Sequence, residues 1–312
     1  MIGGSAYPHA FDRWQGGTDV PEAAVVVGGY HLVGDALNTG QNSQVFEAFK
    51  EGGHRRVAVK LLLKERKDRE QLNYLRHEAE VAQGLEHPNI IKVLEYNNNR
   101  GSEYGPFFVM EFFPSPNLKT QIKRDPEMVL QRAHRIITQV AQALAYVHDK
   151  GWVHRDVKPD NILVNKNGEV RLIDFSLAVR IQGRLSRLFA AKGKKVQGTR
   201  SYMSPEQIRG QPLDPRSDIY SLGVAIFEML AGRPPFRGNN PDELLMRHLR
   251  VPAPSISSQG VEVTPEFDNL LLRMLAKKRE ERPENLHSFL AEFRKIRILQ
   301  KDPVQQEAMG MG

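Results

Sequence analysis

Cysteine is absent from the 312 residues, so neither a disulfide framework nor a thiolate zinc site can form. A reducing compartment, the cytoplasm, is the expected location. No run of about 18 apolar residues occurs, the length needed to cross a bilayer, so no membrane segment is expected in this chain. Met1 to Gly17 lacks a basic start followed by an apolar stretch and does not read as a secretory signal. Internal repeats and long low-complexity tracts are missing as well. The net charge is +7, but no zinc-finger or RNA-recognition motif accompanies it, and nucleic acid is not an expected partner. The excess is local: Arg180, Arg184, Arg187, Lys192, Lys194, Lys195 and Arg200 follow one another with no acidic residue between them. Such a run is either a solvated loop or a surface for phosphate or an acidic substrate.

What is present divides the chain. Residues 1–29 are rich in Gly, Ala and Pro without a clear period and read as an extension. Strand-like segments follow at Gln44–Phe49 and Arg56–Leu63, separated by the turn signal Glu51-Gly52-Gly53. Leu72, Leu75, Ala79 and Ala82 place one apolar face on a charged helix between Lys64 and Gly84. Ile90–Tyr96 and Pro106–Phe113 are strand-like, and Pro114-Ser115-Pro116-Asn117 marks a connection. Helical spacing dominates from there. Ile136, Ile137, Val140, Leu144 and Val147 form one stripe, residues 217–231 are apolar almost all round, and Leu286, Phe289, Leu290, Phe293 and Ile296 form a last stripe. The expected fold is α+β with two lobes: a small β-rich lobe over 30–110, a larger helical lobe over 111–298, and a polar tail over 299–312.

Two short segments concentrate chemistry. His154-Arg155-Asp156-Val157-Lys158-Pro159-Asp160-Asn161 offers an acceptor for a hydroxyl proton, a cation for migrating charge and a neutral oxygen suited to a hard metal ion. Asp174-Phe175-Ser176, after the strand-like Val170–Ile173, offers a carboxylate at a strand end. Either aspartate alone reads as a surface turn carboxylate; together, in this order and separation, they point to phosphoryl transfer.

These residues resemble the eukaryotic-type protein kinase family, over about Leu37 to Arg297. Lys158 is similar to the serine/threonine subgroup. Arg216-Ser217-Asp218-Ile219-Tyr220-Ser221-Leu222-Gly223-Val224 and Arg233-Pro234-Pro235-Phe236 look like its bacterial branch. The resemblance implies transfer of the γ-phosphoryl group of ATP, with Mg2+ or alternatively Mn2+, to a Ser or Thr of a protein substrate. It makes Asp156 the base, with Lys158 at the transferring phosphate and Asn161 and Asp174 as metal ligands. Lys60, in Val57-Ala58-Val59-Lys60, would hold phosphates and pair with Glu78; Glu80 is the alternative partner, on the opposite side of the helix. The phosphate-covering loop keeps one glycine of the family's three, Gly40, with Asn38 and Ser43 in place of the others. Leu37, Val45, Ala58 and Leu163 would enclose the base, behind which Met110 stands. Glu111 and Phe113 would offer backbone bonds.

Farther along, Gly198 to Glu206 is similar to the segment that receives substrate. Thr199 would contact Asp156 and Lys158, Glu206 would pair with Arg282, and Asp218 would brace the backbone at His154 and Arg155. Ser186, Thr199 and Ser201 are the hydroxyls of the activation segment, with Ser186 the expected phosphate carrier. Ser176 replaces the family's glycine, which implies a stiffer Asp–Phe pair. The rival readings are a nucleotide-binding pseudokinase or scaffold, favoured by the eroded glycine loop, and a small-molecule phosphotransferase, disfavoured by the peptide-receiving segment.

Overall fold

Gly28 and Gly29 both adopt positive φ, 55° and 82°, the backbone a two-residue hairpin needs. The computed structural model describes residues 25–99, 102–181 and 198–301. They fall into two units, one holding 25–84 and 91–114, the other 85–90 and 115–301.

The first unit is a six-stranded antiparallel sheet and one long helix. In chain order it comprises β1 (Val26–Val27), β2 (Tyr30–Thr39), β3 (Ser43–Lys50), β4 (Arg56–Leu62), α1 (Arg69–Gln83), β5 (Val93–Asn97) and β6 (Phe107–Glu111). The strand order is β1-β2-β3-β4-β6-β5. Alternation along β4 sends Val57, Val59 and Leu61 into a core with Val27, Tyr30, Leu32, Phe107 and Val109. Ala58 and Lys60 therefore point to the other face. Asp68 caps α1 by accepting the Gln71 N–H, and the helix buries Leu75, Glu78, Ala79 and Ala82.

The second unit is mainly helical. It comprises α2 (Leu118–Arg124), α3 (Pro126–Gln131), α4 (Ala133–Asp149), β7 (Trp152–Val153), β8 (Ile162–Val164), β9 (Val170–Leu172), β10 (Val179–Arg180), α5 (Pro205–Ile208), α6 (Pro215–Ala231), α7 (Pro241–Arg250), α8 (Pro265–Met274) and α9 (Leu286–Phe293). β8 pairs with β9 and β7 with β10, each antiparallel. α6 is buried from Ser217 to Leu230 and packs on α3, α4 and α8, which is why its sequence is apolar all round. Asp214 caps its start, Pro215 occupies the first turn, and Gly232 closes it in the left-handed conformation at φ 70°.

Three expected boundaries move. The extension expected through residue 29 ends earlier, because Val26–Val27 pair with Tyr30 and His31 across the glycine turn. The tail expected from 299 begins later: Leu299 bridges Val263 and the Gln300 amide donates to the Glu262 carbonyl. The expected contiguous division at 110/111 gives way to an interrupted one. Residues 85–90 join the helical unit, where the Glu86 amide donates to Tyr146 Oη and the Leu172 amide to the Asn89 carbonyl.

Candidate active site

Each unit carries one half of the expected site. In the sheet unit, Val45 faces Lys60 and Ala58 faces Met110 in the strand register. Opposed residues of an antiparallel pair share a face, so Lys60 and Ala58 join Val45 and Met110 on the face away from the core. Lys60 Nζ donates to both carboxylate oxygens of Glu78 at 2.7 Å. Both side chains are largely buried, so the pair fixes position more than it adds stability. Glu80 lies 3.8 Å from Arg76 on the exposed side of α1, which removes it as the alternative partner of Lys60.

The loop over Asn38–Val45 is a tight hairpin. Asn38 faces Val45, the Gly40 amide donates to the Ser43 carbonyl at 2.8 Å, and Asn42 Nδ2 reaches Gln71 of α1 at 2.9 Å. Gly40 has no positive φ, and an added Cβ would meet only ordinary contacts, 3.5 Å at the closest. The fold itself does not demand glycine there. Leu37 is half-buried at the end of β2, as are Met110, Glu111 and Phe113 at and beyond β6. The Glu111 amide donates to the Lys92 carbonyl.

In the helical unit Asp156 is the centre of a bonded cluster. Its Oδ2 accepts from Lys158 Nζ at 2.6 Å and from Asn161 Nδ2 at 3.1 Å, and its Oδ1 accepts from the Thr199 amide at 3.1 Å. Lys158 Nζ also donates to Thr199 Oγ1 at 2.7 Å. Asn161 Nδ2 adds a bond to the Asp156 carbonyl, which leaves the neutral Asn161 Oδ1 as the unspent donor atom. Asn161 sits just before β8, level with Ile173 just after β9, whose amide donates to the Asn161 carbonyl at 3.0 Å; Asp174 is the next residue. Leu163 lies at the middle of β8, opposite Arg171.

Two non-glycine residues of this unit take positive φ, Arg155 at 71° and Asp174 at 66°. Such backbone costs roughly 1–3 kcal/mol per residue and persists only where the surroundings enforce it. At Arg155 they do. Asp218, fully buried on α6, accepts the His154 amide at 2.8 Å and the Arg155 amide at 2.9 Å, and Gln207 Nε2 holds the Arg155 carbonyl at 2.8 Å. Burial works to raise the Asp218 pKa, but His148 at 2.8 Å and the His154 amide hold it below the usual carboxylate range. At Asp174, Oδ1 accepts from the Ser176 amide at 3.2 Å and from the Ser176 hydroxyl at 2.6 Å. Phe175 is fully buried against the His154 ring, 4.9 Å between centroids.

Glu206 and Arg282 form a buried double ion pair at 2.7 and 3.0 Å. Burial alone would raise the Glu206 pKa, but Arg282 and the Ser217 hydroxyl keep it low. The pair anchors the stretch after Thr199. Ser201 lies half-buried in the 3-10 turn Arg200–Tyr202 and makes no bond to the Asp156 cluster. Ser186, and the basic residues from Arg184 to Lys195, lie outside the described residues.

Several working residues escape a reading of motifs. His148 braces Asp218, and its trace in the sequence is a polar residue on the buried stripe of α4. Gln207 is legible as the fourth residue of the capping box Ser204-Pro205-Glu206-Gln207, though its bond to Arg155 is not. Ser176 read as a lost glycine, whereas its hydroxyl donates to Asp174 Oδ1.

The whole pattern has known counterparts. The family model described as the protein kinase domain matches residues 32–293. The serine/threonine-protein kinase PknB of Mycolicibacterium smegmatis is 38% identical over 274 residues, covering 84% of this chain and 41% of that protein. PknB of Mycobacterium leprae is 38% identical over 270 residues, with the same coverage of each chain. The probable serine/threonine-protein kinase SCO3848 of Streptomyces coelicolor is 34% identical over 253 residues, 80% of this chain and 37% of its own length. The chain thus spans about two fifths of the length of the curated relatives it matches. With its α+β architecture and this match across most of its length, the chain belongs to the protein kinase domain family, in the bacterial serine/threonine branch.

Proposed function

We propose that this chain transfers the γ-phosphoryl group of ATP to a serine or threonine hydroxyl of a protein, with Asp156 accepting the hydroxyl proton. The observation that carries this reading is the Asp156 cluster. Three donors hold the carboxylate, from Thr199, Lys158 and Asn161, so it is oriented before a substrate arrives. Lys158, bonded to both Asp156 and Thr199, stands where negative charge on a migrating phosphoryl group needs a cation.

The donor set suits Mg2+, or Mn2+ in its place. Among the described residues no three His, Cys, Asp or Glu gather to hold a metal ion by themselves. A metal carried in by phosphates needs only one or two protein oxygens, and Asn161 Oδ1 and Asp174 supply hard ones. When bound, such an ion neutralises phosphate charge. Ser176 fixes the Asp174 rotamer for that task through its hydroxyl. In the sheet unit, Glu78 keeps the Lys60 ammonium in place for phosphate oxygens. The Gly40 backbone leaves space for close approach that the fold does not itself require. Leu37, Val45, Ala58 and Leu163 are the apolar groups for the base.

The acceptor is a protein, and the cation run from Arg180 to Arg200 favours an acidic surround for it. We place the reaction in the cytoplasm, where ATP is plentiful; no helix among the described residues is long and apolar enough to cross a membrane. The test is radiolabelled ATP with wild type and Asp156→Asn, with and without a generic protein substrate. Label on protein with the wild type alone is the expected outcome. Nucleotide binding without transfer in either would establish the pseudokinase reading instead.

A further inference from the structure

The helical unit holds a cavity of about 560 Å³ that none of the Asp156 cluster lines. Such a volume falls within the roughly 300–1,000 Å³ of ordinary ligand sites. Its walls come from α5 and the segment after it, from the start of α6, and from the turn after α8. Five cations border it, Arg209, Arg216, Lys277, Lys278 and Arg279, against Glu206, Asp214 and Glu280. Two of those carboxylates are spent: Glu206 on Arg282, which stands outside the wall, and Asp214 on Arg216 and Arg279 together. Exposed Glu280 opposes part of the charge, and Lys278 pairs with Glu281. The balance of the wall is still positive.

Two guanidiniums of this wall are fixed before any ligand arrives. Arg216 donates through Nε to Asp214 Oδ1 at 3.2 Å and through Nη2 to Oδ2 at 3.1 Å. Arg279 donates through Nη1 alone, to Asp214 Oδ2 at 3.1 Å and to the Pro212 carbonyl at 3.0 Å. Their side chains are only 27% and 19% exposed, so neither is a freely swinging surface arginine. A guanidinium has five N–H groups, and these bonds leave Arg216 Nη1 and the Nε and Nη2 of Arg279 with donors to spare. One carboxylate between two arginines also leaves one positive charge uncancelled. Arg209 adds an exposed guanidinium that makes no ion pair among the described residues. Lys277 borders the cavity as well, but its ammonium lies against the Phe236 and Tyr220 rings.

We propose that this cavity binds a phosphate monoester carried on a peptide, a phosphorylated serine or threonine, apart from the Asp156 site. Such a group brings a charge of about −1.5 to −2 at neutral pH and three strong acceptor oxygens. Planar guanidinium forks held in place by a shared carboxylate match those oxygens, and little side-chain freedom is left to lose on binding. The volume points to a phosphate on a chain. An inorganic phosphate displaces only a few waters, at about 30 Å³ each, and would leave most of the space unfilled. Since Glu206 lines the same cavity, a peptide seated there abuts the ion pair that anchors the stretch after Thr199. The supply of such phosphates rests on the transfer activity proposed above, whereas their binding here does not.

The test titrates a fluorescently labelled phosphothreonine peptide with the full chain and follows its anisotropy. The unphosphorylated peptide should bind about tenfold more weakly or worse, the loss expected for hydrogen bonds to a charged group. Arg209→Glu, a change at an exposed side chain, should weaken the phosphopeptide by a similar factor. Arg279→Lys keeps the charge but loses the fork and should weaken it severalfold; urea midpoints check that both variants fold, and Arg209→Glu decides alone if Arg279→Lys does not. Lys158→Ala, in the Asp156 cluster, should leave this binding unchanged, which separates the cavity from a phosphorylated product held at the transfer site. Equal affinity for the two peptides overturns the proposal. So does binding that Lys158→Ala abolishes and Arg209→Glu leaves intact. Inorganic phosphate that competes as well as the peptide itself would overturn the assignment to a phosphate on a chain. A chain that transfers no phosphate yet binds the phosphopeptide as described would sink the proposed activity and leave this site standing.

Discussion

Asp156 and Asp174 are held by different kinds of partner, and the difference sets what each substitution should do. Asp156 accepts from three separate residues through both of its oxygens, so Asp156→Asn removes the proton acceptor and sets an amide NH2 against at least one of those donors. Transfer should fall by about 10²–10⁴-fold with ATP affinity little changed, measured by steady-state kinetics and nucleotide titration. Asp174 instead leans on its near neighbour Ser176, through a 2.6 Å hydroxyl bond. Ser176→Gly deletes that bond and restores backbone freedom. A neutral hydrogen bond is worth about 1 kcal/mol, so the Mg2+ concentration for half-maximal rate should rise about fivefold, with turnover preserved. Ser176→Thr keeps the hydroxyl and should behave as the wild type. Unchanged Mg2+ dependence in the glycine variant would remove the orienting role. Asp156, Asn161, Lys60 and Asp174 were legible because each chemical type stands in a short motif. The Ser176–Asp174 bond was not, since a missing glycine says what the backbone loses and nothing about where the replacing hydroxyl points.

Helix α6 shows what element-scale packing adds to pattern. Its apolar run was plain in the sequence, yet Gly223 within it had no assigned purpose. An added Cβ there would meet Met274 Cβ at 3.0 Å and Leu275 Cδ2 at 3.2 Å. Gly→Ala in an open helix gains about 1 kcal/mol, but Met274 Cβ is fixed to the backbone of α8 and cannot yield cheaply. Gly223→Ala should therefore destabilise the chain by about 1–3 kcal/mol, read as a lower urea midpoint at unchanged slope. A higher midpoint would mean that α8 has room to move. Strands β3 to β6 were found to within a few residues, because alternation and turn residues coincide there. The ends were misjudged where pairing is made by two or three residues, as at Val26–Val27 and Leu299, too few to carry a period.

Across the whole molecule the response to acid follows from buried groups outside the Asp156 cluster. His248 is fully enclosed, and burial first, then the Lys277 charge, hold its pKa at about 3, well under its ordinary 6.5. The unfolded chain takes up that proton and the folded chain does not, so stability is full above pH 6.5 and falls as pH drops toward 3. Between pH 7 and 5 this one group should cost about 2 kcal/mol, and His248→Gln should flatten that part of the profile in urea titrations. Glu206 and Asp218, both held below the usual carboxylate range, add a further loss as pH falls through about 4 and below. The two-unit plan itself was legible from composition, but its seam was not. Residues 85–90 leave the sheet unit after α1 and the chain returns to it at 91, so the polypeptide changes unit three times before residue 116. A cut at one point therefore cannot separate the units cleanly. Any chimera that swaps the sheet unit for a relative's must keep the native 85–90 with the helical part, joined at both ends, or it discards the partners of Tyr146 and Leu172 together with the strands it meant to exchange.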